Sequence, residues 1–367
     1  AKDNNDKNFI VTVLGAGNIG SHIAKDVLWC GALPDVTLKV NVVDVDINRV
    51  KDEFLYKYPE LNQENCDIEF FSANALGGGF DSLLKEKFSN SDYFVVATGN
   101  DKTNILAAHN IRIKCYRYHK KFPVITAVVR DDSKAHAVRN VFDALRINIS
   151  GNETKMFSLN SVKENSILKK AYLVDNTYCT CKGYDIKTFE EFLNSDESTI
   201  RSNVSFALHI PYKIWALTGI NPDNAKQGTE DYEKIEEFFL NEAPKMAEKI
   251  DEYEHIRWMA FQRSEGVVSP FGKTSFETEA EAGEAMENYR ALNEKTIGAG
   301  YDYMQKKTNP ELHKSLFSKQ HGCLIDYEYI DLLSEKMAQE GKEKPDFKEY
   351  DATLDREMFN IWKEYNK

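Results

Sequence analysis

No window of the sequence approaches the roughly 18 to 20 consecutive apolar residues of a membrane helix, so no membrane span is expected. Positive charge is also in deficit. The 47 Lys+Arg against 59 Asp+Glu leave a formal net charge of −12, which argues against nucleic acid or an anionic membrane as partner. The opening residues, Ala1 to Lys7, have no apolar core of the kind a signal peptide carries, and a cytoplasmic location is the expectation. Cysteine is sparse and unpatterned: Cys30, Cys66, Cys115, Cys179, Cys181 and Cys323 include no CxxC and no paired metal spacing. Reduced thiols and no metal site are expected. Cys179 and Cys181 would meet a metal or each other only in strained geometry.

With 42% hydrophobic and 12% aromatic residues, the chain has the means to build a packed interior, and at 367 residues it exceeds one ordinary core. Two units are expected, divided near residue 160. From Phe9 to Asp132, β-branched runs alternate with helical stretches, the pattern of a doubly wound α/β (Rossmann) domain with a parallel sheet. Strands are expected at Phe9–Leu14, Leu38–Val43, Ile68–Phe71, Tyr93–Ala97 and Val124–Val129, with a sixth at Lys155–Leu159. Residues 161–367 change to helical period and read as a mainly α-helical second domain. Its helices are expected at Val162–Leu173, Ser198–Leu217, Asp231–Phe239, Ala243–Ser264, Glu279–Leu292 and Tyr327–Gln339. The charged stretch Glu335 to Glu343 reads as a solvated helix end.

The strand ending at Leu14 runs into Gly15-Ala16-Gly17-Asn18-Ile19-Gly20 and then a helix. A bare GxGxxG is a weak signal, but strand, glycines and helix in this order make a phosphate cradle. Glycines allow a tight turn and close backbone approach, while a helix start offers free N–H groups and partial positive charge to a pyrophosphate. The second strand ends at Asp44-Val45, where a carboxylate can accept from the adenine-side ribose hydroxyls and repel a 2′-phosphate. NAD or NADH is therefore the expected cofactor, with ADP or ATP as the alternative; Arg49 nearby leaves a phosphorylated cofactor open. Asp46 is read either as a further contact or as the N-cap of the next helix. The fourth strand runs into Thr98-Gly99-Asn100-Asp101 at the same edge of the sheet. Thr98, Gly99 and Asn100 are expected to contact ribose or nicotinamide, and Asp101 to cap the following helix.

The glycine turn, Val43-Asp44-Val45-Asp46, Ala97 to Asn104 and Val124 to Asp131 together resemble the nucleotide-binding domain of potassium-transport regulators, the TrkA-N or RCK family. The resemblance spans about 125 residues and implies a domain that binds NAD, NADH or another adenine nucleotide as a regulatory ligand, often as a homodimer. Residues 72–80 depart from the family pattern, with Asn74-Ala75 and three glycines where it usually shows Gly-Asp. The glycine turn with Val43 to Asp46 also looks like the ATP turn of ThiF-type adenylating enzymes, but the paired arginine and lysine of that family have no counterpart.

In the second half, Glu254 to Gly266 and His321 to Tyr327 resemble the small helical RyR-type module that accompanies some TrkA-N domains. Glu254 and Trp258 share a helix face at i, i+4. Glu254, His255 and Trp258, joined by His321, form a candidate second ligand pocket suited to a planar or polar ligand. The alternative places Trp258 in the core and Glu254 on the helix surface. His321 near Cys323 lacks a second pair of metal ligands. The leading expectation is a non-catalytic nucleotide sensor, in which the helical half reports occupancy to a partner protein or a second ligand. An NAD-dependent oxidoreductase is the alternative, with His109, His119, His209 and His255 as candidate proton carriers.

Overall fold

Parallel sheets joined by helical crossovers are covered on both faces, so their strands' side chains alternate between two layers of helices. The computed structural model describes residues 7–33, 36–58, 61, 67–152, 166–297, 314–315, 319–338 and 346–365. The chain divides into two compact units, Ala1–Ser166 and Ile167–Lys367. In the first, β1 (Lys7–Leu14), α1 (Asn18–Cys30), β2 (Val36–Asp44), α2 (Ile47–Lys57), β3 (Asp67–Ser72) and α3 (Gly78–Glu86) alternate strictly. They are followed by β4 (Tyr93–Val96), α4 (Asp101–His119), β5 (Val124–Val128), α5 (Asp132–Leu145) and β6 (Ile147–Ser150).

The six strands pair in the order β3-β2-β1-β4-β5-β6, all parallel. This is the Rossmann order, in which the connections reverse direction between β1 and β4 and open a crevice at the strands' carboxyl ends. Val11, Val13, Val40 and Val42 pack with Ala24 and Leu28 of α1 and Val50 and Phe54 of α2. The opposite face joins Leu14, Phe94 and Val96 to Leu84 of α3, Ile111 of α4 and Phe142 of α5. The five strands expected at the start of the chain are present with ends shifted by one or two residues. The strand expected at Lys155–Leu159 lies outside the described residues, and the sixth strand of the described sheet comes earlier in the chain. It is β6, only four residues long, opened by Arg146 in the left-handed conformation at φ 52°.

The second unit holds α6 (Ser166–Lys182), α7 (Phe189–Leu193), α8 (Glu197–Thr218), α9 (Glu230–Asn241), α10 (Ala247–Ser264) and α11 (Glu279–Ile297). A short ribbon, β7 (Lys314–Ser315) and β8 (Gln320–His321), precedes α12 (Ile330–Ala338) and α13 (Lys348–Tyr365). The expected helix starting at Ala243 opens as a 3-10 turn, Ala243–Met246, before α10, and the one starting at Tyr327 opens as a 3-10 turn, Tyr327–Tyr329, before α12. The expected start Val162 to Asn165 and the terminal Gln339 lie outside the described residues. Helix α13 had no counterpart among the expected elements. It supplies Met358, Phe359, Ile361 and Trp362 to one apolar core with Phe206, Ile210 and Ile214 of α8 and Ile235 of α9. A second core gathers Phe276, Met286, Ile325, Leu333 and Phe347.

Among the described glycines of the first unit, those of the glycine turn pack closest against backbone. A Cβ on Gly20 would stand 1.7 Å from the Gly15 carbonyl oxygen, and one on Gly15, at φ +88°, would stand 2.5 Å from that of Ala97. Both obstacles are backbone, which cannot rotate aside as a side chain can. Gly20→Ala is therefore expected to destabilise the first unit by about 3 kcal/mol, measured as a lowered urea midpoint; an unchanged midpoint would contradict this packing.

Candidate functional site

The glycine turn stands at the carboxyl edge of β1, next to the loop that leaves β4. Gly15 donates its N–H to the Val43 carbonyl at 2.7 Å, and Ala97 donates to the Leu14 carbonyl at 2.7 Å, which ties both loops to the sheet. Helix α1 starts at Asn18 with Gly17 as N-cap at φ −67° and no side-chain cap. A Cβ on Gly17 would meet nothing within 4 Å, so the space over the helix start is open. The first N–H groups of an α-helix have no partner within the helix, and Asn18, Ile19 and Gly20 provide them here. The arrangement fits a pyrophosphate: donors and partial positive charge face open space that one glycine keeps clear.

Asp44, half-buried at the end of β2, accepts the Ala16 N–H at 2.8 Å through Oδ2 and the Asp46 N–H at 3.0 Å through Oδ1. It fastens the glycine turn to the loop after β2, a role the sequence did not disclose. Each oxygen keeps acceptor capacity beyond one bond. The neighbouring Val45 is exposed. Asp46 occupies the N-cap position of α2, yet its carboxylate accepts from Arg49 Nε at 2.7 Å instead of capping backbone. Arg49 Nη1 also donates to both carboxylate oxygens of Glu53, at 2.7 and 2.8 Å.

At the β4 edge the capping assignment is reversed from expectation. Asn100 caps α4 by accepting the Thr103 N–H at 3.1 Å. Asp101 is buried and accepts the N–H groups of Arg130 and Asp131 at 3.2 and 3.0 Å, because those donors lie unpaired past the end of β5. Sequence reasoning missed Asn104. Its Oδ1 accepts both the N–H and the hydroxyl of Thr98, at 2.9 and 2.6 Å, while its Nδ2 donates to the Val128 carbonyl at 2.8 Å. An amide in the first turn of a helix, after a polar loop, was the available signal. Of the histidines considered as proton carriers, His119 places Nε2 3.2 Å from the Leu84 carbonyl at the far end of α4, and His209 and His255 belong to the helical unit.

Within the helical unit, Glu254, His255, Trp258 and His321 all border one pocket of about 740 Å³. Glu254 is buried, so the helix-surface alternative does not hold for it. Arg257 donates to it from Nε and Nη2 at 2.8 and 2.6 Å, and Lys213 of α8 reaches it at 2.6 Å. Lys213 also bonds Asp355 of α13, and Arg257 donates to Ser205 of α8 at 2.9 Å. Three helices are thus joined by buried charges. Burial alone would raise the Glu254 carboxyl, but Arg257 and Lys213 outweigh it and hold the group below the usual carboxylate range. Burial pushes the Asp355 carboxyl well up despite Lys213, and its Oδ2 has no hydrogen-bond partner.

His255 bonds at both nitrogens. Its Nε2 lies 2.8 Å from the Ile325 carbonyl, which can only accept, and its Nδ1 lies 2.9 Å from Asp351 Oδ2. Both positions call for a donor, the condition of an imidazolium. Burial favours the neutral ring, yet the Asp351 bond and charge and the Ile325 carbonyl prevail and raise the pKa above 6.5. The Trp258 ring stacks on His255 at 5.8 Å and meets the His321 edge at 4.9 Å. Asp251, on the same helix, is pushed up to about 6 by burial.

Residues 11–147 match the family model of the TrkA-N domain. The matched span falls wholly within the first unit. With its parallel six-stranded sheet, that unit has the fold of a Rossmann-type domain. No curated protein matches the chain. Among the described residues, no helix is long and apolar enough to cross a membrane.

Two stability tests follow for the ion network. Glu254→Gln leaves Lys213 and Arg257 buried without their shared anion and is expected to cost about 3 to 5 kcal/mol; Asp355→Asn, at a carboxyl already driven toward neutrality, is expected to cost about 1 kcal/mol. Equal losses in chemical denaturation would contradict the asymmetry. The pH dependence has a definite sign. The raised His255 and Asp251 groups stabilise the fold below their ordinary values of 6.5 and 3.8, and lose that contribution as pH rises through their folded values. Glu254 acts oppositely, its contribution fading as pH falls below 4.5. Melting of this unit is expected to be highest near pH 5 and to decline toward pH 8, with a shallower decline above pH 6.5 in His255→Asn.

Proposed function

We propose that the protein is a nucleotide-responsive regulator, in which NAD or NADH is bound rather than reacted. The observation that carries the reading is the open space over Gly17 at the start of α1, located at the crevice between β1 and β4 where doubly wound sheets take their ligands. The residues divide the work by chemistry. The N–H groups from Gly17 to Gly20 hold the pyrophosphate, Asp44 accepts from the adenine-side ribose, and Thr98, Gly99 and Asn100 meet the nicotinamide side.

The β4 edge supports binding without catalysis. Hydride transfer needs a proton carrier beside the reacting carbon. The acid nearest the loop, Asp101, is already engaged by two backbone N–H groups, and the Thr98 hydroxyl is donated to Asn104. The reading includes a homodimer. The helical unit then reports nucleotide occupancy to a partner protein or through a second ligand.

Saturating NADH at about 100 times its dissociation constant is expected to stabilise the first unit by about 2.7 kcal/mol through mass action, read as a raised melting temperature. Gly17→Asp separates binding from folding. Aspartate is a favoured N-cap, so stability should stay within about 1 kcal/mol, while its carboxylate claims the N–H groups and repels phosphate. Loss of the NADH shift with the fold intact is the expected result; a persistent shift would remove the turn from the site. Asp44→Asn is expected to lower the preference for NADH over NADPH at least tenfold, and an unchanged ratio would mean that Asp44 does not face the ribose.

A further inference from the structure

The pocket of the helical unit has a charge balance that its walls do not complete. Of its acids, Glu254 is neutralised by Lys213 and Arg257, Asp351 by His255, and Asp175 by Lys187 at 3.0 Å. Arg201 pairs with Glu265 at 2.7 Å and lies 3.7 Å from Glu197. Lys319 differs. It borders the same pocket, is exposed, and donates only to the Glu265 carbonyl, at 3.4 Å; among the described residues no carboxylate pairs with it.

The apolar wall is aromatic and fixed. Trp258 is held by the His255 imidazolium on one side and the His321 edge on another, and Phe206 and Phe261 extend the surface. His255 cannot swing away, since both its nitrogens are bonded to groups on other segments. At about 740 Å³ the space lies within the range of small-molecule sites, which combine aromatic walls with a few placed charges. A rigid indole favours flat rings, and an ammonium without a carboxylate favours an anion.

We infer that this pocket binds a flat aromatic metabolite carrying one anionic group, its ring against Trp258 and its anion at Lys319. The site is distinct from the glycine turn and goes beyond the nucleotide reading. Phosphate and carboxylate are both competent anions here. A nucleoside monophosphate and an aromatic carboxylate are therefore two sources of the same chemistry.

The test uses the full chain carrying Gly17→Asp, so that binding at the turn does not contribute, and titrates AMP, indole-3-acetate and adenosine by calorimetry. AMP, indole-3-acetate or both are expected to bind, the one that binds identifying the anion. Adenosine, which has the ring of AMP without its charge, should bind at least tenfold more weakly than AMP if AMP is the ligand. Lys319→Glu should weaken the bound anion at least tenfold with no change in melting temperature, because the side chain is exposed. Trp258→Leu should weaken it by a similar factor. No binding of either anion at 5 mM, or binding that Lys319→Glu leaves unchanged, would overturn the inference. Because the Lys319 variant keeps its fold, a Trp258 variant that fails to fold does not rescue the proposal. Failure here leaves NADH binding to the unmodified chain untouched, so the two readings fall separately.

Discussion

The near-contact of Gly20 with the Gly15 carbonyl is the constraint on which the first unit's function depends. Only with no Cβ at Gly20 can α1 come this close to the end of β1, and only then does its first turn face the crevice beside β4. The neighbouring bonds keep it there: Gly15 to Val43, Ala16 to Asp44, and Ala97 to Leu14 lock the loops after three strands into one edge. The open space over Gly17 is then a fixed feature of the fold and not a property of a mobile loop. Two of the glycines yield room to backbone, while the third borders open space.

The helical unit is organised by a different force. Its network buries the charges of Lys213, Glu254 and Arg257 at a desolvation cost that their mutual attraction offsets only when all three are in place, with Asp355 as a further hydrogen-bond partner of Lys213. Such a cluster contributes little net stability but penalises any rearrangement of α8, α10 and α13. That rigidity reaches the pocket through α10, because Glu254, His255 and Trp258 sit within one turn of it. The imidazolium of His255 links the network's helix to Asp351 on α13 and to the Ile325 carbonyl, so the aromatic wall and the charged floor hold one another in position.

How much of this the sequence disclosed depended on how local each feature was. The glycine turn and five strands were legible because strand, turn and helix follow one another within a few residues and each carries its own period, whereas the bonds of Asp44 to the Ala16 and Asp46 N–H groups were not. The sixth strand was missed because Ile147 to Ser150 is too short to show alternation, and its start is set by Arg146 in a left-handed conformation that no residue type announces. That Asn100 and not Asp101 caps α4 was not readable, since both suit a cap and Asp101 is drawn away by the N–H groups of Arg130 and Asp131 past the end of β5. Glu254, His255, Trp258 and His321 were drawn together by resemblance and residue type. Their partners were not, because Lys213 and Asp355 are 142 residues apart and α13 went unrecognised.

The central claim is that the glycine turn of the Rossmann unit holds an NAD-type nucleotide. Calorimetric titration of the full chain with NADH tests it most directly, with ADP and ATP run in parallel. The account predicts one NADH per chain with a dissociation constant of micromolar order, equivalent to about −8 kcal/mol, and weaker binding of ADP and ATP. Absence of measurable heat for NAD and NADH at millimolar concentration would contradict it.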